Sequence, residues 1–185
     1  LINFTPDPQY FDSVKFSVSR LRHLLRAKAV LCPGLRVIFT DENVSGDEKT
    51  TEWCFEHGLE DYLVAEVGDT DVLPESPFTG SASGHTEAVD WAVLWVPDGP
   101  DLTTESYVNL IPTLQGGTHV SGLRAGLLEA MREFCEFRNL VPRGIRISAD
   151  DVFERCAYVL SAKLVEPQFS GQTKERLNSR EAATF

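Results

Sequence analysis

Residues 88–96, which read AVDWAVLWV, place the strongest limit on the fold of this chain. A β-strand turns alternate side chains to opposite faces of its sheet, and here only Asp90 interrupts an apolar run that fills both sets of positions. Such a run is typical of an inner strand. At 185 residues and 20.6 kDa, the chain is long enough to surround this strand with a hydrophobic core in one compact domain.

Strands and helices alternate along the first half of the chain. We predict an opening strand at residues 1–4, LINF, and then a helix that Ser17 caps and that Pro33 ends. The alternating runs LRVIFT and TEWCFE predict a hairpin, and LEDYLVAEV predicts a short helix. Between that helix and the inner strand, Pro, Gly and Ser residues predict a loop.

The second half repeats this alternation. ESYVNLI is predicted to extend the sheet, and Thr118 in GGTH is predicted to cap the longest helix, whose apolar stripe is core. The glycine pair before this helix is only weak evidence for a phosphate cradle. SADDVFERC predicts a last helix, and AYVLSAKLV predicts a strand with Lys163 on its polar face.

The segment Pro167 to Leu177, PQFSGQTKERL, follows that strand and fits neither a core strand nor a helix interior. It holds a glycine and several polar residues around Lys174. From the residues alone, a lysine that simply lies on a surface loop is the simpler interpretation. The alternative is a lysine that the loop presents to a ligand.

The charges are distributed unevenly along the chain. Residues 1–40 carry +4, residues 41–105 carry −16 and residues 106–185 carry +1, which gives the net charge of −11. The acidic block disfavours a protein that coats nucleic acid, whereas residues 13–40 contain no acid and are able to face an anion. Ordinary solvated surface explains the pattern equally well.

Several classes of protein are disfavoured. The four cysteines are scattered and form no C-x-x-C pair, which argues against a zinc site or a disulfide framework and favours a reduced, cytoplasmic environment. No apolar run is long enough to span a membrane, and the start at Leu1 suggests a piece of a longer chain. No Walker A, G-x-G-x-x-G or H-E-x-x-H motif is present, and GSASG lacks the central serine of a nucleophile elbow. The four histidines are isolated from one another and from co-ligands, so we predict no catalytic histidine and no metal site.

Two blocks in order, GGTH and PQFSGQTKERL, resemble the transducer domain of the B subunit of bacterial type IIA topoisomerases, a gyrase B-like family. The resemblance extends from FDSVKFSVSRLRHLLRAKAVLCPG to the end of the chain. LIPTLQGGTH, AMREFCEFRNL and RCAYVLSAKL are more similar to the topoisomerase IV branch than to gyrase. The resemblance implies that residues 1–185 form one transducer domain.

The implied fold is α+β, a two-layer α/β sandwich of the ribosomal protein S5 domain 2-like type. It has a mixed sheet, helices on one face and a left-handed βαβ crossover, an exception to the usual right-handed rule. The ATP-binding and toprim domains of the family have no counterpart here, so the fragment alone is expected to be inactive.

The resemblance also implies a role for the loop. In relatives, the Q-T-K loop reaches the ATP-binding domain of the same subunit and contacts the ATP γ-phosphate. Carried over, Gln172 and Lys174 bind this phosphate, and Lys174 is the catalytic candidate. A cation beside a neutral donor suits the terminal phosphate. Arg22 and Arg26, one helical turn apart, are the candidates that face DNA.

The wider implications concern the complete enzyme. It would use ATP and Mg²⁺, bound mainly by the missing domains, to pass one DNA segment through another, with decatenation and relaxation as outcomes and a role in chromosome segregation. Expected partners are the ATPase domain of the same subunit, a second B subunit, the topoisomerase IV A subunit and DNA, in the bacterial cytoplasm at the chromosome. Two alternatives stay open: an S5-like nucleic-acid-binding module, and the equivalent domain of a mismatch-repair or chaperone-type ATPase.

Overall fold

The structure is a computed structural model that describes residues 1–98, 103–142 and 144–184. Residues 1–185, expected to form a single domain, divide into two compact units, Leu1–Glu56 and His57–Phe185. Each unit contains helical structure and a sheet of its own.

The first unit contains one helix and a small antiparallel sheet. Helix α1 spans Val18–Leu31, and the Ser17 side chain accepts the Arg20 amide, as predicted for an N-cap. Strands β1 (Val37–Thr40) and β2 (Thr50–Trp53) form the predicted hairpin, joined through a 3-10 turn at Asp47–Lys49. The opening strand predicted at residues 1–4 is wrong: this segment is irregular and pairs with no described strand, so its amides form no ladder.

The second unit is built on a five-stranded sheet. Its elements in chain order are α2 (Leu59–Val67), β3 (Leu73–Ser83), β4 (Glu87–Trp95), β5 (Thr104–Val108), β6 (Ile111–Pro112), α3 (Thr118–Phe137), α4 (Ala149–Phe153), β7 (Cys156–Leu164) and a final 3-10 turn at Glu181–Ala183. The strand order is β3-β4-β7-β5-β6. Among the described strands of this sheet, β5 and β7 pair in parallel and the other pairings are antiparallel.

The sheet is therefore mixed, and the predicted α+β class with its helices is confirmed. The predicted inner strand is β4, which lies between β3 and β7. The chain from β5 to its parallel neighbour β7 passes through β6, α3 and α4. The left-handedness of the crossover stays a prediction.

Helices α3 and α4 lie on one face of the sheet. Val93 and Tyr158, which are paired across β4 and β7, belong to a core cluster with Val152 and Phe153 of α4. Leu123 and other apolar residues of α3 pack against the same cluster. The predicted apolar stripe of the longest helix therefore faces the core, except at its end, where Phe134 is exposed.

Helix α2 lies on the opposite face. Glu105 of β5 pairs with Val159 of β7 and so shares the face opposite to Tyr158. The Tyr62 hydroxyl of α2 donates to the Glu105 carboxylate over 2.8 Å. The resemblance implied helices on one face of the sheet, and this describes α3 and α4. Because α2 covers the other face, β4 is buried on both faces.

Strand β3 replaces much of the predicted Pro, Gly and Ser loop. It is an edge strand that pairs only with β4 among the described strands, and its register shifts between Leu73 and Phe78. Pro77 lies within this shifted part. Proline cannot donate a hydrogen bond to a strand ladder, so it favours a loop in a sequence-based prediction. It is tolerated in edge strands and at irregularities, and β3 has both features.

Candidate functional site

The Pro167–Leu177 segment forms a narrow hairpin-like loop after β7, which we call the lysine loop (residues 167–178). Its two arms exchange backbone hydrogen bonds: the Asn178 amide donates to the Gln168 carbonyl over 2.7 Å, and the Ser170 amide donates to the Arg176 carbonyl over 3.0 Å. Phe169 and Leu177 face each other as an antiparallel bridge. The paired arms therefore leave residues 171–174 as an exposed tip.

The tip closes in a tight turn. The Lys174 amide donates to the Gly171 carbonyl over 3.2 Å, and Lys174 has a backbone φ of 58°. A residue other than glycine rarely adopts this left-handed conformation, so the surrounding turn imposes it. The turn sets the direction in which Lys174 leaves the backbone.

The side chains of the tip are turned to solvent. Gln172, Thr173 and Lys174 are all exposed. The Lys174 ammonium lies 5.8 Å from the centre of the Phe169 ring, near the outer limit of a cation–π contact. The two residues predicted to contact phosphate thus lie two positions apart on one accessible turn.

Lys163 provides a contrast within the same unit. Its ammonium lies 3.0 Å from an Asp90 carboxylate oxygen on the neighbouring strand, and both side chains are about half exposed. The Lys163 ammonium is therefore already paired with a carboxylate. Lys174 has no carboxylate partner among the described ion pairs.

The base of the lysine loop is joined to the start of α3. The Leu177 amide donates to the Gly116 carbonyl over 3.0 Å, and the Leu177 carbonyl accepts the Thr118 amide over 3.1 Å. One step along, the Gln115 amide donates to the Glu175 carbonyl over 2.9 Å. Residues 115–117 and 175–177 thus run side by side through backbone hydrogen bonds.

This arrangement corrects the predicted cap of α3. The N-cap residue is Gly117, Thr118 is the first helical residue, and no side chain caps the helix. The Thr118 hydroxyl is buried without a hydrogen-bond partner in the described part of the chain. The carbonyl of Leu177, from a distant part of the chain, binds the first amide of α3 instead, and this leaves that amide unavailable to a phosphate.

His119, the second residue of α3, is buried next to this junction. Its Nε2 lies 3.1 Å from the Thr113 hydroxyl, whereas its Nδ1 is buried without a partner among the described residues. Burial lowers the pKa of the imidazole from 6.5 to about 4. His119 is therefore neutral at pH 7, buried rather than exposed, and not fully hydrogen-bonded. No pattern in the sequence indicated this pairing.

The DNA-facing candidates lie in the first unit. The Arg22 guanidinium donates to the Thr51 hydroxyl over 2.8 Å and to the Glu48 carbonyl over 3.3 Å, and it stacks 5.3 Å from the centre of the Phe39 ring. Arg22 therefore holds α1 to the β1–β2 hairpin. Arg26, one turn later on α1, is half-buried. The structure thus gives Arg22 a structural task that the sequence did not reveal.

Other chemistry is scarce in the described residues. No group of three or more His, Cys, Asp or Glu side chains is arranged to hold a metal ion in residues 1–98, 103–142 and 144–184. The four cysteines are free thiols, and burial raises the pKa of Cys156 to about 12. The first four residues of GSASG end strand β3 and form no nucleophile elbow. Among the helices in those ranges, none is long and apolar enough to cross a membrane.

The similarity of this chain to known proteins includes the lysine loop. The sequence model of the family described as DNA gyrase B matches residues 58–185, nearly the same range as the second unit. The whole chain is 63% identical to the B subunit of DNA topoisomerase 4 from Pseudomonas aeruginosa and 60% identical to that from Escherichia coli K12. It spans 29% of the length of each of these relatives.

Solved structures agree with these relatives. A Francisella tularensis topoisomerase IV ATP-binding domain in complex with a small-molecule inhibitor matches 97% of this chain with a TM-score of 0.77 and 37% identity. The 43K ATPase domain of Thermus thermophilus gyrase B in complex with an aminocoumarin matches 97% with a TM-score of 0.78 and 29% identity. This chain covers 47% of each of those chains. On these matches of sequence and fold, the chain belongs to the DNA gyrase B family.

Proposed function

We propose that this chain is part of the B subunit of a bacterial topoisomerase IV, a type IIA DNA topoisomerase, and that residues 1–185 serve as its transducer domain. Membership of the gyrase B family and the 60–63% identity to topoisomerase 4 B subunits support this assignment. The observation that carries the mechanism is the exposed tip of the lysine loop, held by backbone bonds at the start of α3. Family membership sets aside a mismatch-repair or chaperone ATPase.

In this proposal, Lys174 and Gln172 contact the γ-phosphate of ATP that another domain of the same protein binds. The Lys174 ammonium supplies a positive charge, and the Gln172 carboxamide supplies a neutral N–H donor. The oxygens of the terminal phosphate accept hydrogen bonds from both groups. Backbone atoms, not these side chains, hold the loop together, so both side chains are available to a ligand. Lys174 would stabilise the charge that develops as the γ-phosphate departs.

The same geometry suggests how phosphate loss is reported. Once the phosphate leaves, the lysine loop loses its ligand, and its base is hydrogen-bonded to the first residues of α3. Displacement of the loop would therefore act on the 20-residue helix that covers the sheet. We propose that this coupling links ATP hydrolysis to DNA strand passage, decatenation and relaxation.

The complete enzyme would need components outside this chain. Other domains would bind Mg²⁺ and make most of the contacts to ATP. The described residues offer no cluster of side chains suited to the ion. The partners in this proposal are the ATPase domain of the same subunit, a second B subunit, the A subunit and DNA. Arg22 and Arg26 remain our candidates for facing DNA.

The test is Lys174→Gln in the complete subunit. Loss of one well-placed charged donor commonly costs about 3 kcal/mol in the transition state, so we expect turnover of ATP to fall about a hundredfold. Binding of a non-hydrolysable ATP analogue, measured by calorimetry, should change little because other domains provide most of its contacts. Normal hydrolysis by Lys174→Gln would refute the phosphate contact.

Lys163→Gln is the matched control. It removes the same charge from a position that pairs with Asp90 on the sheet, so turnover should stay within about twofold of the unmodified enzyme. Thermal unfolding of both variants shows whether either has lost its fold. A Lys174→Gln variant that melts early would indicate a structural lysine.

A further inference from the structure

The lysine loop lies directly against Gly117, the N-cap residue of α3. A Cβ atom placed on Gly117 would lie 2.3 Å from the Leu177 carbonyl oxygen and 2.6 Å from its amide nitrogen. Both atoms belong to the backbone and cannot turn aside like the end of a flexible side chain. Gly117 also has a φ of 139°, which side chains rarely tolerate.

Gly116 differs although it is the neighbouring residue. Its φ of 61° also favours glycine, but an added Cβ would approach the Val120 side chain at 3.4 Å, which is an ordinary van der Waals distance. A methyl group at residue 116 therefore strains the backbone without touching the loop. A methyl group at residue 117 strains the backbone and also pushes Leu177 away.

Separation at Gly117 would break the two hydrogen bonds that Leu177 makes to Gly116 and Thr118. Leu177 is three residues from Lys174 on the same arm of the loop. We propose that Gly117 is a positioning residue for Lys174: its missing side chain lets the backbone of α3 fix the arm that carries the lysine. This inference rests on the proposed contact of Lys174 with the γ-phosphate.

A side-chain bond supports the same arm closer to Lys174. The Gln115 side-chain amide donates to the Glu175 carboxylate over 2.8 Å, and Glu175 follows Lys174 directly. The backbones of these two residues are also bonded. Gln115 and Glu175 therefore form a second, weaker connection that is open to mutation without any backbone clash.

The experiment uses the complete subunit with four variants: Gly117→Ala, Gly116→Ala, Lys174→Gln, and Gly117→Ala with Lys174→Gln. We expect Gly117→Ala to lower kcat about tenfold or more, with the Kd of a non-hydrolysable ATP analogue changed less than about threefold. Gly116→Ala should lower kcat less than about threefold. The double variant should be no slower than Lys174→Gln alone, because the lysine that Gly117 positions is already gone.

The outcomes separate this inference from the proposed function. Normal turnover by Lys174→Gln refutes the phosphate contact itself. If Lys174→Gln is slow but Gly117→Ala keeps kcat within about twofold, Gly117 does not position the lysine. Losses that multiply in the double variant, as independent structural damage would, also overturn the inference.

A second pair decides the matter if Gly117→Ala fails to fold. Glu175→Ala removes the acceptor for Gln115, whereas Glu175→Gln keeps an oxygen that accepts the same bond. We expect about a two- to fivefold loss of kcat for Glu175→Ala and recovery of most of it in Glu175→Gln. Unchanged kcat in both variants would show that loosening the arm that carries Lys174 does not slow turnover, and this would overturn the inference.

Discussion

The lysine loop and the α1–hairpin contact of the first unit both present basic side chains, but they hold them in opposite ways. In the lysine loop, backbone atoms and the Gln115–Glu175 side-chain pair form the structural bonds, and Gln172 and Lys174 are exposed. In the first unit, the Arg22 side chain itself joins α1 to the hairpin. A side chain that supports the fold has donors already engaged, so the loop is the better place for a residue that must meet a ligand.

The first prediction concerns the base of the lysine loop, where His119 is buried. The unfolded chain binds a proton at the ordinary histidine pKa of 6.5, whereas the folded imidazole stays neutral down to about pH 4. The stability contribution is therefore complete above pH 6.5 and is lost as the pH falls towards 4. Between pH 7 and pH 5 the free energy of unfolding should drop by about 2 kcal/mol from this group alone.

Urea unfolding at both pH values measures this drop, and His119→Gln should remove most of it. His57→Gln, at an exposed position, is the control for the loss of a histidine side chain. An equal pH dependence in His119→Gln and the unmodified chain would show that water reaches the imidazole at the base of the loop.

The second prediction tests the opposite region. Arg22→Ala should lower the free energy of unfolding by about 1.5 kcal/mol, because a half-buried charged donor loses its bond to Thr51 and its contact with Phe39. Thermal and urea unfolding provide the measurement. Arg20→Ala, an exposed position on the same helix, should cost less than about 0.5 kcal/mol. Equal small losses would mean that Arg22 does not hold α1 to the hairpin.

The third prediction has the smallest expected effect and concerns DNA. In the complete enzyme, Arg26→Glu should weaken DNA stimulation of ATP hydrolysis about threefold at low salt and less at high salt, while basal hydrolysis stays normal. Adding Arg22→Glu should increase the loss but also destabilise the hairpin. Arg20→Glu is the matched charge reversal. An identical effect from Arg20→Glu would mean that the net charge of the helix affects DNA stimulation, and that Arg22 and Arg26 are not a specific DNA-facing pair.

The sequence predicted the elements whose signals are local. Ser17 as a helix cap, the alternation in the hairpin and the apolar run of β4 each depend on neighbouring residues, and each appears in the structure. Strand β3 was missed because Pro77 and the nearby glycines mimic a loop, and only its pairing with β4 makes it a strand.

The candidate site shows the same limit. The resemblance pointed to Gln172 and Lys174, and the structure places both on one exposed turn. The attachment of that turn could not be read from the residues, because Leu177 caps a helix that begins 59 positions earlier. A backbone carbonyl caps equally well whatever its side chain, so no residue type marked this contact.

The packing of the tryptophans has an optical consequence. Gly80 leaves room for the Trp91 indole to lie against β3, and Trp91 packs beside α3. The Trp95 indole N–H donates to the Val152 carbonyl of α4 over 2.6 Å. Two of the three tryptophans thus adjoin the helices on one face of the sheet, and Trp53 lies in the first unit. With Trp53 replaced by Phe, the intrinsic fluorescence of this chain reports, without a label, on how these helices pack against the sheet.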